Sequence, residues 1–239
     1  MNKEKNIEFL HFGHSRMKPF FSREAFDFTT AKIMGDGHIN KKNQLEIDQK
    51  DFLYTQWNQN ETRRWGLSTQ KAGISEVTRT RFDKEKLTSV KTTSSRCYSQ
   101  ALFGEFRRTF YIEKRPTDPT YGRDSPFRKW YPPELAHWFT SPYSLALFYM
   151  DDGGVDNGSI SISTGEVSTE EVLFLQDILK TNFNLNFVPI HVSADKKTAN
   201  YVYKGLYLQW DSRKDFYNLI APTVLKVPCM HYKLKFLPK

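Results

Sequence analysis

The stretch 145-LALFYMDDGGV-155 decides how the rest of the chain is read. Leu145 to Met150 form an apolar run too short to span a bilayer, but suited to the last turns of a buried helix. Ser141 supplies a hydroxyl N-cap and Pro142 takes the first helical position, where a missing N–H costs least. The run then ends in two adjacent carboxylates, Asp151 and Asp152, and two glycines. An acid at a helix C-terminus faces the negative end of the macrodipole, so something positive must compensate it.

The plan occurs twice. The stretch 29-TTAKIMGDG-37 closes an earlier apolar helix, capped at Ser22, with Asp36-Gly37. Glycine after each helix is expected to stop it by accepting φ > 0. Period-two segments follow each stop: Leu45 and Ile47 alternate with polar neighbours in 44-QLEIDQ-49, and isoleucines alternate with serines in 159-SISIS-163. In 201-YVYKGLYLQW-210, Val202, Leu206, Leu208 and Trp210 fall on one side and Tyr201, Tyr203, Tyr207 and Gln209 on the other. Helices are expected at about 50–59, about 98–111, 169–182 and 212–220, the third with a Ser168/Glu171 capping box. Five of the 11 prolines lie between Ile112 and Glu134, where helix and ladder bonds are hard to sustain.

These readings give an α+β fold of two pseudo-symmetric αββαββα halves, packed through the acid-bearing helices, with the antiparallel sheets forming a saddle. The divisions are an N-terminal extension (1–20), a first half (21–115), a proline-rich linker (116–133) and a second half (134–239).

The chain has 239 residues, 35 Lys and Arg against 27 Asp and Glu, and a formal net charge of +8. That balance favours an anionic partner, nucleic acid ahead of a membrane surface. Cys97 and Cys229 stand outside any CxxC spacing, so neither a zinc cage nor a disulfide framework is indicated. The start, MNKEKNIEFLHFGHSRMKPF, lacks an apolar core and reads as neither a secretory signal nor a transit peptide.

Ala31 and Gly35, four residues apart, form a small-residue stripe along which a second helix can approach closely. If helix 142–151 packs there, Asp36 and Asp152 emerge together. Two such acids call for hard divalent cations and suit two-metal phosphodiester chemistry. A calcium loop over 151–158 is excluded, because Gly153 takes the third position and no Glu the twelfth. The pair 11-HFGH-14 lacks the acid of a zinc motif and is read as local packing.

The segments 29-TTAKIMGDG-37 and 145-LALFYMDDG-153 resemble the two signature copies of LAGLIDADG homing endonucleases of the single-chain, double-motif branch. The resemblance runs from about Phe20 to Phe236, and SPYSLALFYMDDGG, FYNLIAP and MHYKL look like intron-encoded organellar meganucleases. Thr29 and Lys32 depart from the usual apolar residues of the first copy, and Leu147 and Asp151 from the often small residues of the second.

The resemblance implies a monomeric, site-specific double-strand DNA endonuclease that promotes intron mobility and leaves short 3′ overhangs. It implies metal binding by Asp36 and Asp152, which share two or three Mg²⁺ ions, and catalytic roles for Lys129 and Lys233 near the scissile phosphates. The bare sheet faces nominate Gln44, Glu46, Ser159, Ser161, Ser163, Tyr203 and Gln209 for contact with DNA. Lys41, Lys42, Arg63, Arg64, Arg79 and Arg81 are expected to position its backbone. No membrane and no obligatory protein partner is implied, and the expected compartment is the mitochondrion, with the chloroplast as alternative. The competing function is an intron RNA maturase on the same scaffold. A transcription regulator is the third, and it would more naturally carry a helix-turn-helix appendage.

Overall fold

The computed structural model describes residues 21–83, 88–114, 126–156, 158–165, 167–192 and 202–235. The first half runs α1 (Arg23–Met34), β1 (His38–Ile39), β2 (Leu45–Gln49), α2 (Phe52–Arg64), β3 (Ser75–Asp83), β4 (Thr88–Tyr98) and α3 (Gly104–Phe110). A small antiparallel pair, β5 (Tyr111–Glu113) with β6 (Phe127–Lys129), and a single turn of helix, α4 (Leu135–Trp138), lead onward. The second half repeats the order as α5 (Pro142–Asp152), β7 (Gly153–Asp156), β8 (Ser159–Ser163), α6 (Thr169–Phe183), β9 (Phe187–Val192), β10 (Val202–Leu208) and α7 (Arg213–Val224). A 3-10 segment, Pro228–Leu234, follows.

Both four-stranded sheets are antiparallel and share one strand order, β1-β2-β4-β3 and β7-β8-β10-β9. This is the expected pseudo-symmetric αββαββα pair. The alternation in β2 and β8 explains the layering: Leu45, Ile47, Ile160 and Ile162 are buried toward the helices, while their neighbours stay partly open. Each such side chain contributes about 1.5–3 kcal/mol by leaving water, which makes register slips costly.

The α1 and α5 helices are buried almost all round, because each is covered by its own sheet and by the other helix. Their starts are set by hydroxyl caps. The Ser22 hydroxyl accepts from the N–H of Ala25 at 3.2 Å, and that of Ser141 accepts from Ser144 at 3.1 Å.

Several elements differ from their sequence expectations. The helix expected over 98–111 is only Gly104–Phe110, since Tyr98 still pairs with Glu46 in the sheet. The helices expected over 50–59 and 212–220 each run further, to Arg64 and Val224. Neither Gly37 nor Gly153 has positive φ; among the described residues the glycines that do are Gly66, Gly158 and Gly165. The signature glycines serve close approach instead. A Cβ on Gly37 would lie 2.6 Å from the carbonyl oxygen of Lys32, and one on Gly153 would lie 2.1 Å from the Tyr149 ring.

Trp210, expected beside Leu208 in the core, is 79% exposed because the strand ends at Leu208 and a 3-10 turn swings the indole out. A register shift between Tyr203 and Leu206 adds one residue to β10 and flips its alternation, so Tyr203 packs against the core. Tyr201 lies outside the described residues. Within the segment assigned to the linker, residues 116–125 also lie outside them, as does Arg115 at the end of the first half, while Phe127–Lys129 pairs back onto Tyr111–Glu113.

Candidate functional site

The paired helices α1 and α5 pack so closely that a Cβ on Gly35 would lie 2.7 Å from the Cβ of Asp151. This crossing brings the two signature ends together. Asp36, Asp152 and Lys129 line one cleft of about 480 Å³, with Gly35, His38, Tyr111, Arg128 and Tyr131 among its other walls.

Both acids carry the signature of crowding. Burial pushes the Asp36 carboxyl above its usual range, and the charge of Asp151 adds to this. Asp152 is pushed up to about 8, by burial first and then by the charges of Asp36 and Asp151, against relief from Lys129 and Lys233. A cation joining such carboxylates favours their charged form.

The two lysines are built in from different directions. Lys129 ends β6, where it pairs with Tyr111; the Tyr111 hydroxyl in turn accepts from the N–H of Ile39 at 2.8 Å. Its neighbour Arg128 is held by both oxygens of Glu171 at 3.1 and 2.8 Å, the same Glu171 that closes the α6 capping box. So anchored, Lys129 donates to the carbonyl of Gly35 at 2.6 Å, at the C-terminal end of α1. Lys233, on the Pro228–Leu234 segment, donates to the carbonyl of Gly153 at 2.6 Å and to that of Tyr149 at 3.3 Å. Each ammonium thus supplies the positive charge that a helix C-terminus bearing an acid needs. Burial lowers the pKa of both lysines, and the three aspartates oppose the shift.

Sequence reading missed three members of this cluster. Gln49, at the end of β2, donates to Asp36 Oδ2 at 3.0 Å and more weakly to Asp151 Oδ1 at 3.5 Å. Lys32 and Tyr54 both bond Asp151 Oδ1, at 2.7 Å each, and Lys32 also donates to the Tyr54 hydroxyl at 2.8 Å. Two of the four departures from the signature therefore answer one another, the buried Lys32 of α1 meeting the buried Asp151 of α5. That polar types replaced apolar or small ones at one level of both copies was the available signal.

Among the described residues no three His, Cys, Asp or Glu side chains group closely enough to hold a metal ion by themselves. The donor set still fits a hard divalent cation. Mg²⁺ characteristically keeps several waters and takes only one or two carboxylates, with substrate phosphates completing the shell. Two crowded carboxylates beside an open cleft meet that description.

The candidate DNA-contact residues separate into groups. Ser159, Ser161 and Ser163 line the open face of the second sheet, their isoleucine neighbours buried behind them, and Gln209 lies just beyond the end of β10. Lys41 and Lys42 are exposed in the β1–β2 turn, and they line a cleft of about 750 Å³ with Gln44, Glu46 and Tyr98. Gln44 is engaged at both ends of its amide, with Asn40 at 3.2 Å and the carbonyl of Ser99 at 3.3 Å.

Glu46, expected to accept from cytosine, is instead paired with Arg96 at 2.8 Å. Arg96 also grips Asp48 at 2.7 Å, so a guanidinium that sequence reading did not single out centres the first open face. Arg63 and Arg64 lie at the end of α2, on the helix layer against the opposite face of the sheet. There Arg63 bonds the carbonyl of Ala72, and Arg64 stacks 4.7 Å from the Trp65 ring centre. Tyr203 is turned to the core, as noted, and the side chains of Arg79 and Arg81 lie outside the described residues.

Two like halves, joined by paired helices that deliver one acid each into a shared cleft beneath two open sheets, define the LAGLIDADG architecture. The profile of the LAGLIDADG DNA endonuclease family matches residues 28–214, and the chain belongs to that family. It is 31% identical over 100 residues to an intron-encoded endonuclease, ai4, of Dictyostelium discoideum, covering 42% of this chain and 52% of that protein. It is 32% identical over 111 residues to a probable intron-encoded endonuclease of Wickerhamomyces canadensis, covering 44% of each. A cytochrome b mRNA maturase, bI2, of Debaryomyces hansenii matches at 31% over 96 residues, covering 40% of this chain and 34% of that one. The matches thus span about half or less of these relatives' lengths. The fold is similar to that of the homing endonuclease I-WcaI bound to its DNA recognition sequence, with a TM-score of 0.64 at 22% identity, covering 90% of this chain and 87% of that one.

Among the described residues no helix is long and apolar enough to cross a membrane.

Proposed function

We propose that the protein is a site-specific homing endonuclease that binds duplex DNA as a monomer and hydrolyses one phosphodiester in each strand, in support of intron mobility in the mitochondrion. The observation that carries this reading is the delivery of Asp36 and Asp152, one from each half, into one cleft that Lys129 also lines. The halves differ in sequence on their open faces, which suits a long asymmetric target read mainly in the major groove. The names of the relatives and the family profile support the activity, and a cytochrome b mRNA maturase among the relatives supports the compartment.

Asp36 and Asp152 would hold Mg²⁺, which supplies Lewis acidity toward the phosphate and toward an attacking water. The chain's own residues do the rest. Gln49 fixes the orientation of the Asp36 carboxylate through its 3.0 Å bond. Lys129 and Lys233 hold their charge at the two helix ends, where negative charge develops as the phosphate is attacked. Their lowered pKa values bring them closer to the range in which an amine can also move a proton. The sheets position the duplex so that one strand's phosphate faces each acid.

Asp36→Asn and Asp152→Asn should each abolish cleavage of a target plasmid while leaving specific binding largely intact. Linearisation at the wild-type rate by either variant would refute the assignment. The maturase relative favours one second reading, in which the same open faces bind folded intron RNA without cutting DNA. Competition between intron RNA and the intron-insertion duplex in a gel shift separates the two. RNA preference with no Mg²⁺-dependent cleavage selects the maturase.

A further inference from the structure

Arg213, the first residue of α7, is 8% exposed and makes no ion pair among the described residues. Its Nη2 donates to the Tyr207 hydroxyl at 3.4 Å, its guanidinium lies 4.4 Å from the centre of the Trp210 ring, and its Nε is buried without a partner. A guanidinium cannot shed its proton, so a buried one is normally matched by a carboxylate or another anion. Two acids lie two residues away, Asp211 and Asp215: Asp211 accepts from Asn186 Nδ2 at 3.0 Å and from the Ser212 hydroxyl at 3.2 Å, and the exposed Asp215 forms no ion pair with Arg213.

The surroundings say where the missing anion comes from. Tyr207 pairs with Ser161 across the sheet and alternates with the buried Leu206 and Leu208, so its hydroxyl belongs to the open face. Tyr207 is level with Ser161 and through it with Gly154, and β10 runs on from there toward the Ser159 end of the sheet, where Trp210 and Arg213 follow it. Ser212 spends its hydroxyl on Asp211 and on the N–H of Asn186, leaving the first turn of the helix with no side-chain cap. Trp210 stands exposed over the same guanidinium, offering an apolar surface to a sugar or base beside the anion.

We propose that Arg213, with Tyr207 and Trp210, is a seat for one backbone phosphodiester of the duplex, where β10 ends beside the half-site covered by the second sheet. The proposal rests on the DNA-binding reading and adds to it an anchor outside the residues that line the catalytic cleft. Phosphate contacts of this kind fix the register of a protein on its target without reading sequence. Arg213 is accordingly a positioning residue.

The test is a double-mutant cycle between protein and phosphate. Wild type and Arg213→Gln are titrated, by fluorescence anisotropy, against the target duplex carrying single neutral methylphosphonates at successive phosphates of the half-site that the second sheet covers. Arg213→Gln should weaken binding of the unmodified duplex roughly tenfold and reduce the salt slope by about one. One methylphosphonate should cost the wild type a similar factor and cost Arg213→Gln nothing more. Arg213→Lys, which keeps the charge, should recover most of the salt slope, and wild-type melting temperatures in the variants establish that folding is preserved. Losses that multiply independently at every phosphate, or wild-type affinity in Arg213→Gln, would overturn the seat while leaving the endonuclease reading in place. Failure of the wild type to bind any duplex, with tight binding of folded RNA, would overturn both.

Discussion

The ammonium of Lys32 lies 2.7 Å from a carboxylate oxygen of Asp151, and both side chains are fully buried. The pair joins α1 of one half to α5 of the other at the level of the catalytic acids. Removing one member leaves a buried charge alone, which costs about 3–5 kcal/mol, whereas replacing both by apolar residues is often neutral or stabilising. Lys32→Met should therefore lower the urea midpoint sharply. Lys32→Met with Asp151→Ala, which restores apolar and small side chains at these positions, should return close to wild type. Equal stability of the single and double variants would show that the two charges are not coupled.

Close packing at the same level makes a second expectation. A Cβ on Gly35 would meet both the Cβ and Oδ2 of Asp151 at 2.7 Å. Gly35→Ala must push α1 and α5 apart, at a cost of about 1–3 kcal/mol for overpacking. The separation of Asp36 from Asp152 should widen with it, so cleavage should fall more than binding. Combining Gly35→Ala with Asp151→Gly and Lys32→Met, which makes room for the methyl without stranding a buried charge, should recover both stability and activity. Unimpaired activity in Gly35→Ala alone would mean that the crossing distance does not set the site.

What the sequence disclosed and what it hid divide along physical lines. The two capped helices, the alternating strands and the convergence of Asp36 with Asp152 are local periodicities repeated at matching positions, and repetition makes weak local signals strong. The Lys32–Asp151 pair was visible only as two separate irregularities, because 119 positions separate its members and only the helix crossing unites them. Tyr203 was misplaced because a one-residue bulge reverses alternation, and no pattern of period two announces its own interruption. Glu46 was nominated for DNA because Arg96, which holds it, sits on a strand far along the chain. Gln49 was overlooked because a glutamine ending a strand has no motif of its own.

Arg96 governs the charge of the first open face. It pairs with Glu46 at 2.8 Å and Asp48 at 2.7 Å, so the trio carries a net negative charge as it stands. Arg96→Ala would leave both carboxylates facing the DNA phosphates, and affinity should drop by roughly tenfold or more at low salt, with less effect at high salt. Arg96→Ala with Glu46→Gln and Asp48→Asn should regain much of that loss. Filter binding across a salt series measures both effects, and a loss that is independent of salt would assign Arg96 to base reading instead.

The Asp152 carboxyl stands at about 8 in the folded chain, against 3.8 for an unperturbed aspartate, because burial and then the charges of Asp36 and Asp151 oppose its ionisation. Between roughly pH 4 and pH 8 the folded state therefore holds a proton that the unfolded chain has released. The sign follows: metal-free stability falls as pH rises through that window, by on the order of a few kcal/mol, and levels off above it, where both states are ionised. Asp152→Asn removes the buried charge. The metal-free variant should melt above wild type near pH 9 although it no longer cuts. Mg²⁺ should reverse the order by binding the ionised pair, raising the wild-type melting temperature more at pH 8.5 than at pH 6 and leaving Asp152→Asn nearly unmoved. Scanning fluorimetry with EDTA and with Mg²⁺ reads all four conditions. A wild-type melting temperature that stays level from pH 5 to pH 9 without metal would show that Asp152 ionises freely and is not crowded by the acid from the other half.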